Sequence, residues 1–156
     1  MPKRTGAVGR AIGGRRAPSE LADLLRSAGL RKTAPRVAVL QFLERARTPV
    51  SHSEVAEEMA VLGLDRVTVY RNLLDLVEAN LATRTDLGDH VWRFELRRRD
   101  DGHAAKHPHF LCVSCGVVTC LPDDVVRVTG RRGVPRSIAA HHVEVQVKGE
   151  CDFCAR

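Results

Sequence analysis

Two Cys-x-x-Cys pairs constrain this chain more than any other feature: Cys112 with Cys115 in "HFLCVSCG", and Cys151 with Cys154 in "KGECDFC". Two such knuckles at the ends of adjacent strands supply the four thiolates of a closed, tetrahedral zinc site. The 35 residues between Cys115 and Cys151 exceed the gap of a compact zinc ribbon, so one helix-strand unit is looped between the pairs. A fifth cysteine, Cys120, makes the count odd. The basic N-terminus "MPKRTGAVGRAIGGRRAPSE" has no apolar core of an export signal. Five cysteines in such a chain read as metal ligands or reactive thiols rather than disulfides, and the expected location is cytoplasmic.

The stretch "HPHFLCVSCG", residues 107–116, also holds His107 and His109. Successive side chains of a strand alternate faces, so His107 and His109 share one face and Cys112 has the opposite parity. Without a bulge the histidines cannot join the thiolate site. They serve a second ion, or none.

Ahead of these motifs the pattern is helical. Residues 1–18, rich in Gly, Arg and Pro, have no apolar period and are expected to be a disordered basic tail. Ser19 is placed to cap a short helix carrying Leu21, Leu24 and Leu25. Thr33 is placed to cap the next, with Pro35 in its first turn and Val37, Leu40 and Leu43/Phe42 facing inward. Ser51 and Glu54 form an S-x-x-E capping box for a third helix with Val55, Met59 and Leu62 inside, ended by Gly63. After the turn "GLDR" comes "VTVYRNLLDLVEANL", striped by Val69, Leu73, Leu76 and Val77. Two short helices joined by a tight turn match a helix-turn-helix. The strand-like runs "LATRTD" and "HVWRFEL" follow around "LGD". Three helices plus a two-stranded ribbon is a winged helix.

The charged segment 97–106, "RRRDDGHAAK", reads as a hinge between a winged-helix domain over 19–96 and a second domain over 107–156. In the second domain the sequence predicts strands through "HFLCV", "VVTCL" and "HVEVQVKG", with a helix from about Asp123. The fold class expected is α+β: a winged helix-turn-helix domain plus a small C-terminal α/β domain with an antiparallel sheet. No run of about 18 apolar residues is present, so no membrane-spanning helix is expected.

Net charge is +6, and residues 1–36 hold nine Lys/Arg against two Asp/Glu. A basic end of this kind suits a polyanion, nucleic acid first. In a winged helix the second helix of the pair enters the major groove with its N-terminal residues leading. Those are Arg66, Thr68, Tyr70 and Arg71. Arg31, Lys32 and Arg36 near the second helix start, and Arg84 in the wing, would lie over phosphates. A zinc enzyme fits poorly: H-E-x-x-H is absent, as is H-x-E paired with P-C-x-x-C, so no enzymatic activity is expected. A zinc-stapled adaptor that binds only protein is opposed by the basic N-terminal helices and the "TVYR" helix.

Over residues 19–156 the chain resembles the ferric uptake regulator family of bacterial metal-dependent repressors. The resemblance is carried by "GLRKTAPR", "VTVYRNL", "FEL", "HPHFLCVSCG" and "KGECDFC" in that order. It implies a homodimer that binds a palindromic double-stranded DNA operator and dimerises through the C-terminal domain. It also implies structural zinc on Cys112, Cys115, Cys151 and Cys154. A sensing ion near the hinge would take Glu95, His107, His109 and the residue at position 120. That position most often carries a carboxylate in the family, and here it is Cys120. A Glu/His/His/Cys set suits tetrahedral Zn²⁺ better than six-coordinate Fe²⁺ or Mn²⁺. A zinc-responsive repressor is therefore the leading expectation, with an iron- or other-metal-responsive regulator or a peroxide sensor of the same family as alternatives.

Among the other histidines, His90 has the parity of Trp92 and Phe94, opposite to Glu95, so Glu95 ranks first as a ligand. His52 reads as a surface residue. The family's histidine upstream of the third helix is missing, where "RTPVS" stands. His141 and His142 sit at an offset from the family's metal-binding position, and nothing assigns a role to His103.

Overall fold

The computed structural model describes residues 16–97, 108–122, 124–129, 132–140, 143 and 145–155. The expected tail ahead of Arg16 and the expected hinge beyond Arg97 lie outside the described residues. So do His103, His107, His141 and His142.

Helix α1 spans Pro18–Ser27, so Ser19 lies inside it rather than capping it. Pro18 opens the first turn, where its missing N–H costs nothing. The Glu20 carboxylate accepts the Ala17 N–H at 2.6 Å in place of a hydroxyl cap. Helix α2, Ala34–Arg45, starts where expected, with Thr33 Oγ1 accepting the Arg36 N–H. Its buried stripe is Val39, Leu40 and Leu43, while Val37 and Phe42 pack on the flank. The apolar stripe is broader than one face, and the helix is turned so that Val39 is central.

Strand β1 is only Val50–Ser51 and was not expected. Ser51 ends it and at once caps α3, His52–Ala60, in a reciprocal box with Glu54. Val55, Ala56 and Met59 are buried, but Leu62 is 61% exposed, because the helix ends at Ala60 and the turn carries Leu62 off the inner face. Helix α4, Arg66–Glu78, is capped by Asp65 and buries Val69, Asn72, Leu73 and Leu76. Strands β2, Ala82–Asp86, and β3, Trp92–Leu96, form the wing in antiparallel register from Ala82↔Leu96 to Asp86↔Trp92. β1 adds to the other edge of β3, so the expected two-stranded ribbon is a three-stranded sheet in the order β1-β3-β2.

One continuous core runs from Leu21 and Leu25 through α2, α3 and α4 to Phe94 and Leu96. Phe94 is fully buried at its centre, and its truncation to alanine would cost about 3–5 kcal/mol. Phe94 and Leu96 point into this core, so Glu95 between them faces the other way.

The second sheet contains β4, His109–Cys112, β5, Val118–Cys120, and β6, Gln146–Gly149, in the order β5-β4-β6. β5 is antiparallel to β4 as expected, but β6 runs parallel to it. The long connection from β5 to β6 makes that pairing possible, since parallel neighbours need a crossover rather than a hairpin. The helix expected from about Asp123 does not form over 124–129. The four-residue α5, Arg136–Ala139, follows later, after the β-branched "VVRV" run.

Side chains of β6 reach the wing turn. Gln146 Nε2 donates to the Asp86 carbonyl and Lys148 Nζ to the Gly88 carbonyl, each at 3.0 Å. Gly88 has φ +77°, and a Cβ there would lie 2.3 Å from Lys148 Nζ. Among the described residues no helix is long and apolar enough to cross a membrane.

Candidate metal centres and nucleic-acid interface

The parallel register Cys112↔Gly149 sets the ends of β4 and β6 side by side and brings the two Cys-x-x-Cys turns together. The sulfurs of Cys112, Cys115, Cys151 and Cys154 all lie within 4.8 Å of one another, with Cys115 and Cys151 at 3.8 Å. A tetrahedron with Zn–S bonds of about 2.3 Å has edges of about 3.8 Å, so the donor set fits zinc. Cys112 is buried and ends its strand, and the Cys151 N–H points at its sulfur at 3.4 Å. Backbone N–H groups of Cys115 and then Cys151 hold the Cys112 thiol down at about 6. Its neighbour Cys154 is pushed up to about 12 by the Cys115 thiol beside it and by burial. One sulfur is thus ready as a thiolate, and another keeps its proton until a cation displaces it.

A second cluster stands on the outward face of β3. His109 and Cys120 are direct cross-strand partners in β4 and β5. His109 Nε2 is 3.5 Å from Glu95 Oε2, and Cys120 Sγ is 3.9 Å from Glu95 Oε1 and 3.4 Å from the Arg47 carbonyl. The ligand atoms of Glu95, His109 and Cys120 lie within 4.8 Å of one another. Tetrahedral zinc with N and O donors at about 2.1 Å needs edges of about 3.4 Å, which these spacings approach. His109 therefore sits apart from the four thiols, as strand parity requires. His107, expected beside it, is outside the described residues. His90 has φ +59° and a side chain 97% exposed on the wing turn, away from both clusters.

The nucleic-acid candidates differ in how far their side chains are engaged within the fold. Arg66, Tyr70 and Arg71 are exposed along α4, and Arg31 and Lys32 are exposed before α2. Thr68 is committed to the cap: its hydroxyl donates to Asp65 at 2.6 Å and its N–H at 2.8 Å. The Thr68 hydroxyl and amide hold the Asp65 carboxyl below the usual range. Arg36, expected over phosphate, is also engaged within the fold. It pairs with Asp75 on α4, donates to the Arg31 carbonyl at 2.6 Å, and is 14% exposed. Arg84 lies with its guanidinium 4.1 Å over the Trp92 ring, on the exposed wing. Sequence reasoning missed Asp65, although an aspartate directly ahead of a helical run and three residues before Thr68 is a capping signal.

Residues 27–148 match the model of the Ferric uptake regulator family. The chain belongs to the ferric uptake regulator family. It is 34% identical over 110 residues to the ferric uptake regulation protein of Legionella pneumophila, covering 69% of this chain and 77% of that one. Against the Escherichia coli K12 ferric uptake regulation protein it is 31% identical over 124 residues, 76% of this chain and 75% of that protein. The fold superposes on the crystal structure of the Vibrio cholerae ferric uptake regulator with a TM-score of 0.65 at 28% identity, covering 83% of this chain and 98% of that one. Members of the family are metal-responsive DNA-binding regulators, and the α+β winged-helix architecture seen here is theirs.

Proposed function

We propose that the chain is a repressor of metal-homeostasis genes that acts as a homodimer on a palindromic operator and is controlled by zinc. It would carry structural zinc on Cys112, Cys115, Cys151 and Cys154, and a sensing cation on Glu95, His109 and Cys120, with His107 as the remaining expected ligand. The carrying observation is that the Glu95–His109–Cys120 cluster joins β3 of the winged helix to β4 and β5 of the second sheet. The thiol in the set favours zinc over iron or manganese.

A bound cation supplies concentrated positive charge that a carboxylate, an imidazole and a thiolate can share. Glu95 then ties the wing to the sheet that His109 and Cys120 occupy, which fixes the orientation of α4. Arg66, Tyr70 and Arg71 would meet base edges or phosphates, with Arg31, Lys32 and Arg84 adding salt-dependent phosphate contacts. Shifting a two-state equilibrium from 1:99 to 99:1 takes roughly 5.5 kcal/mol of preference, which a three-donor ion site can provide.

Titration of duplex binding against buffered free Zn²⁺, Fe²⁺ and Mn²⁺ tests the reading. Zinc is expected to restore binding at the lowest free concentration. Restoration first by Fe²⁺ or Mn²⁺ would overturn the zinc assignment. DNA binding indifferent to every metal would remove the sensing role of the cluster.

A further inference from the structure

The sequence suggests that His52 is an ordinary surface residue, and its surroundings say otherwise. His52 is the first residue of α3, directly after the Ser51 cap, and it is half-buried. Its Nε2 lies 2.9 Å from the Arg66 carbonyl in the first turn of α4. A carbonyl only accepts, so Nε2 carries the proton in this contact. The ring meets the Tyr70 ring edge-on, with centroids 5.3 Å apart and planes at 68°. That is the favoured geometry of an aromatic pair. The next residue, Ser53, accepts from the Arg66 guanidinium at 2.9 Å. Two consecutive side chains of α3 thus hold Arg66 and, one turn further along α4, Tyr70.

We propose that His52 is a positioning residue that fixes which edge of Tyr70 is presented to DNA, and so sets operator specificity. The inference rests on the reading that α4 enters the major groove. Tyr70 is 37% exposed, and no packed core surrounds its outer edge. A half-exposed tyrosine has several staggered rotamers open to it, and a contact that reads a base needs one of them. The His52 ring covers one side of Tyr70 and is itself pinned at the far end by the Arg66 carbonyl. The pin and the platform are the same residue. A change at His52 therefore alters how Tyr70 meets a base while leaving Arg31 and Lys32, which carry general phosphate attraction, as they are.

The test uses the zinc-loaded full chain with two probes: a duplex selected by the wild type from a random pool, and poly(dI–dC). His52→Ala is expected to weaken the selected duplex by about tenfold, the size of one base contact, and poly(dI–dC) by less than about twofold. Tyr70→Ala should lose a similar amount, and the double variant no more than Tyr70→Ala alone. His52→Phe, which keeps a ring, should recover most of the affinity, whereas His52→Gln should not. Because Tyr70 is the only tyrosine in the chain, 3-fluorotyrosine labelling gives one ¹⁹F resonance, which should move in His52→Ala before any DNA is added. Multiplying losses in the double variant, equal losses on both probes, or an unmoved resonance would each overturn the proposal. If Tyr70→Ala costs affinity and His52→Ala costs none, only the positioning role falls. If Tyr70→Ala costs nothing, the α4 reading surface falls with it.

Discussion

His109 on β4 stands 3.5 Å from Glu95 on β3, so a single cluster of three side chains joins the winged helix to the second sheet. Neither residue could do this alone. Glu95 reaches outward because Phe94 and Leu96 on either side of it are committed to the core. His109 faces it because Cys112, three residues on, is committed to the thiol cluster on the other face. The same alternation that builds each strand therefore assigns one donor set to structure and leaves the other between the sheets.

In the proposed sensing site, Cys120 would decide which cation the cluster prefers. Cys120→Ser is expected to weaken zinc at this site by at least roughly tenfold, about 1.4 kcal/mol, while affinity for Mn²⁺ changes little. Co²⁺ substitution reports the same ligand directly, since a thiolate-to-cobalt charge-transfer band assigned to this site should vanish in the variant. An unaltered zinc affinity would make Cys120 a small side chain packed in its strand.

Loading the four-cysteine cluster should release protons. Cys154 is pushed up to about 12, with the Cys115 thiol the foremost cause. The Cys115 thiol is itself raised: the Val117 N–H lowers it, but the Cys112 thiol and burial outweigh that. Both must lose protons to bind zinc near neutral pH, whereas Cys112, at about 6, is already ionised. Titrating zinc into stripped protein in buffers of different ionisation enthalpy at neutral pH should show at least two protons released. Zinc affinity should fall more steeply below about pH 6, where Cys112 also takes a proton. A pH-independent affinity would mean that these thiols are not the ligands.

Arg36 and Arg71 should separate cleanly in experiment. Arg36 joins α2 to Asp75 of α4, so Arg36→Ala is expected to cost about 1–2 kcal/mol in urea unfolding and to leave the salt dependence of DNA binding intact. Arg71 is exposed and, as a bidentate base contact, would cost about 1–3 kcal/mol of operator affinity as alanine, at unchanged stability. A salt slope reduced by about one in Arg36→Ala would restore Arg36 to the phosphate-contacting set.

Most helices were legible because their signals are local. Thr33 and the Ser51/Glu54 box cap where the sequence places them, since an N-cap involves residues only three apart. The two Cys-x-x-Cys turns were legible for the same reason. What was not legible depends on distant partners. The two-residue β1 exists because Phe94 and Arg93 are there to pair with it, and the parallel course of β6 is set by the crossover rather than by its own alternation. Arg36 looked free for phosphate because Asp75, 39 residues away, supplies its partner only after folding. Leu62 continued the helical period on paper but fell beyond the point where the helix ends.

The wing turn offers a test of how closely the two sheets are joined. Gly88 has φ +77°, a region that costs an L-residue about 1–2 kcal/mol. An added Cβ would also meet Lys148 Nζ, but that is the far end of a flexible side chain, which can swing aside by giving up its bond to the Gly88 carbonyl. Gly88→Ala should therefore cost the backbone strain plus one hydrogen bond, and in a Lys148→Ala background the strain alone. The two substitutions should be less than additive by about 1 kcal/mol in chemical denaturation. Full additivity would mean that Lys148 does not hold the wing turn in solution, leaving Gln146 at the Asp86 carbonyl as the tie from β6 to the wing.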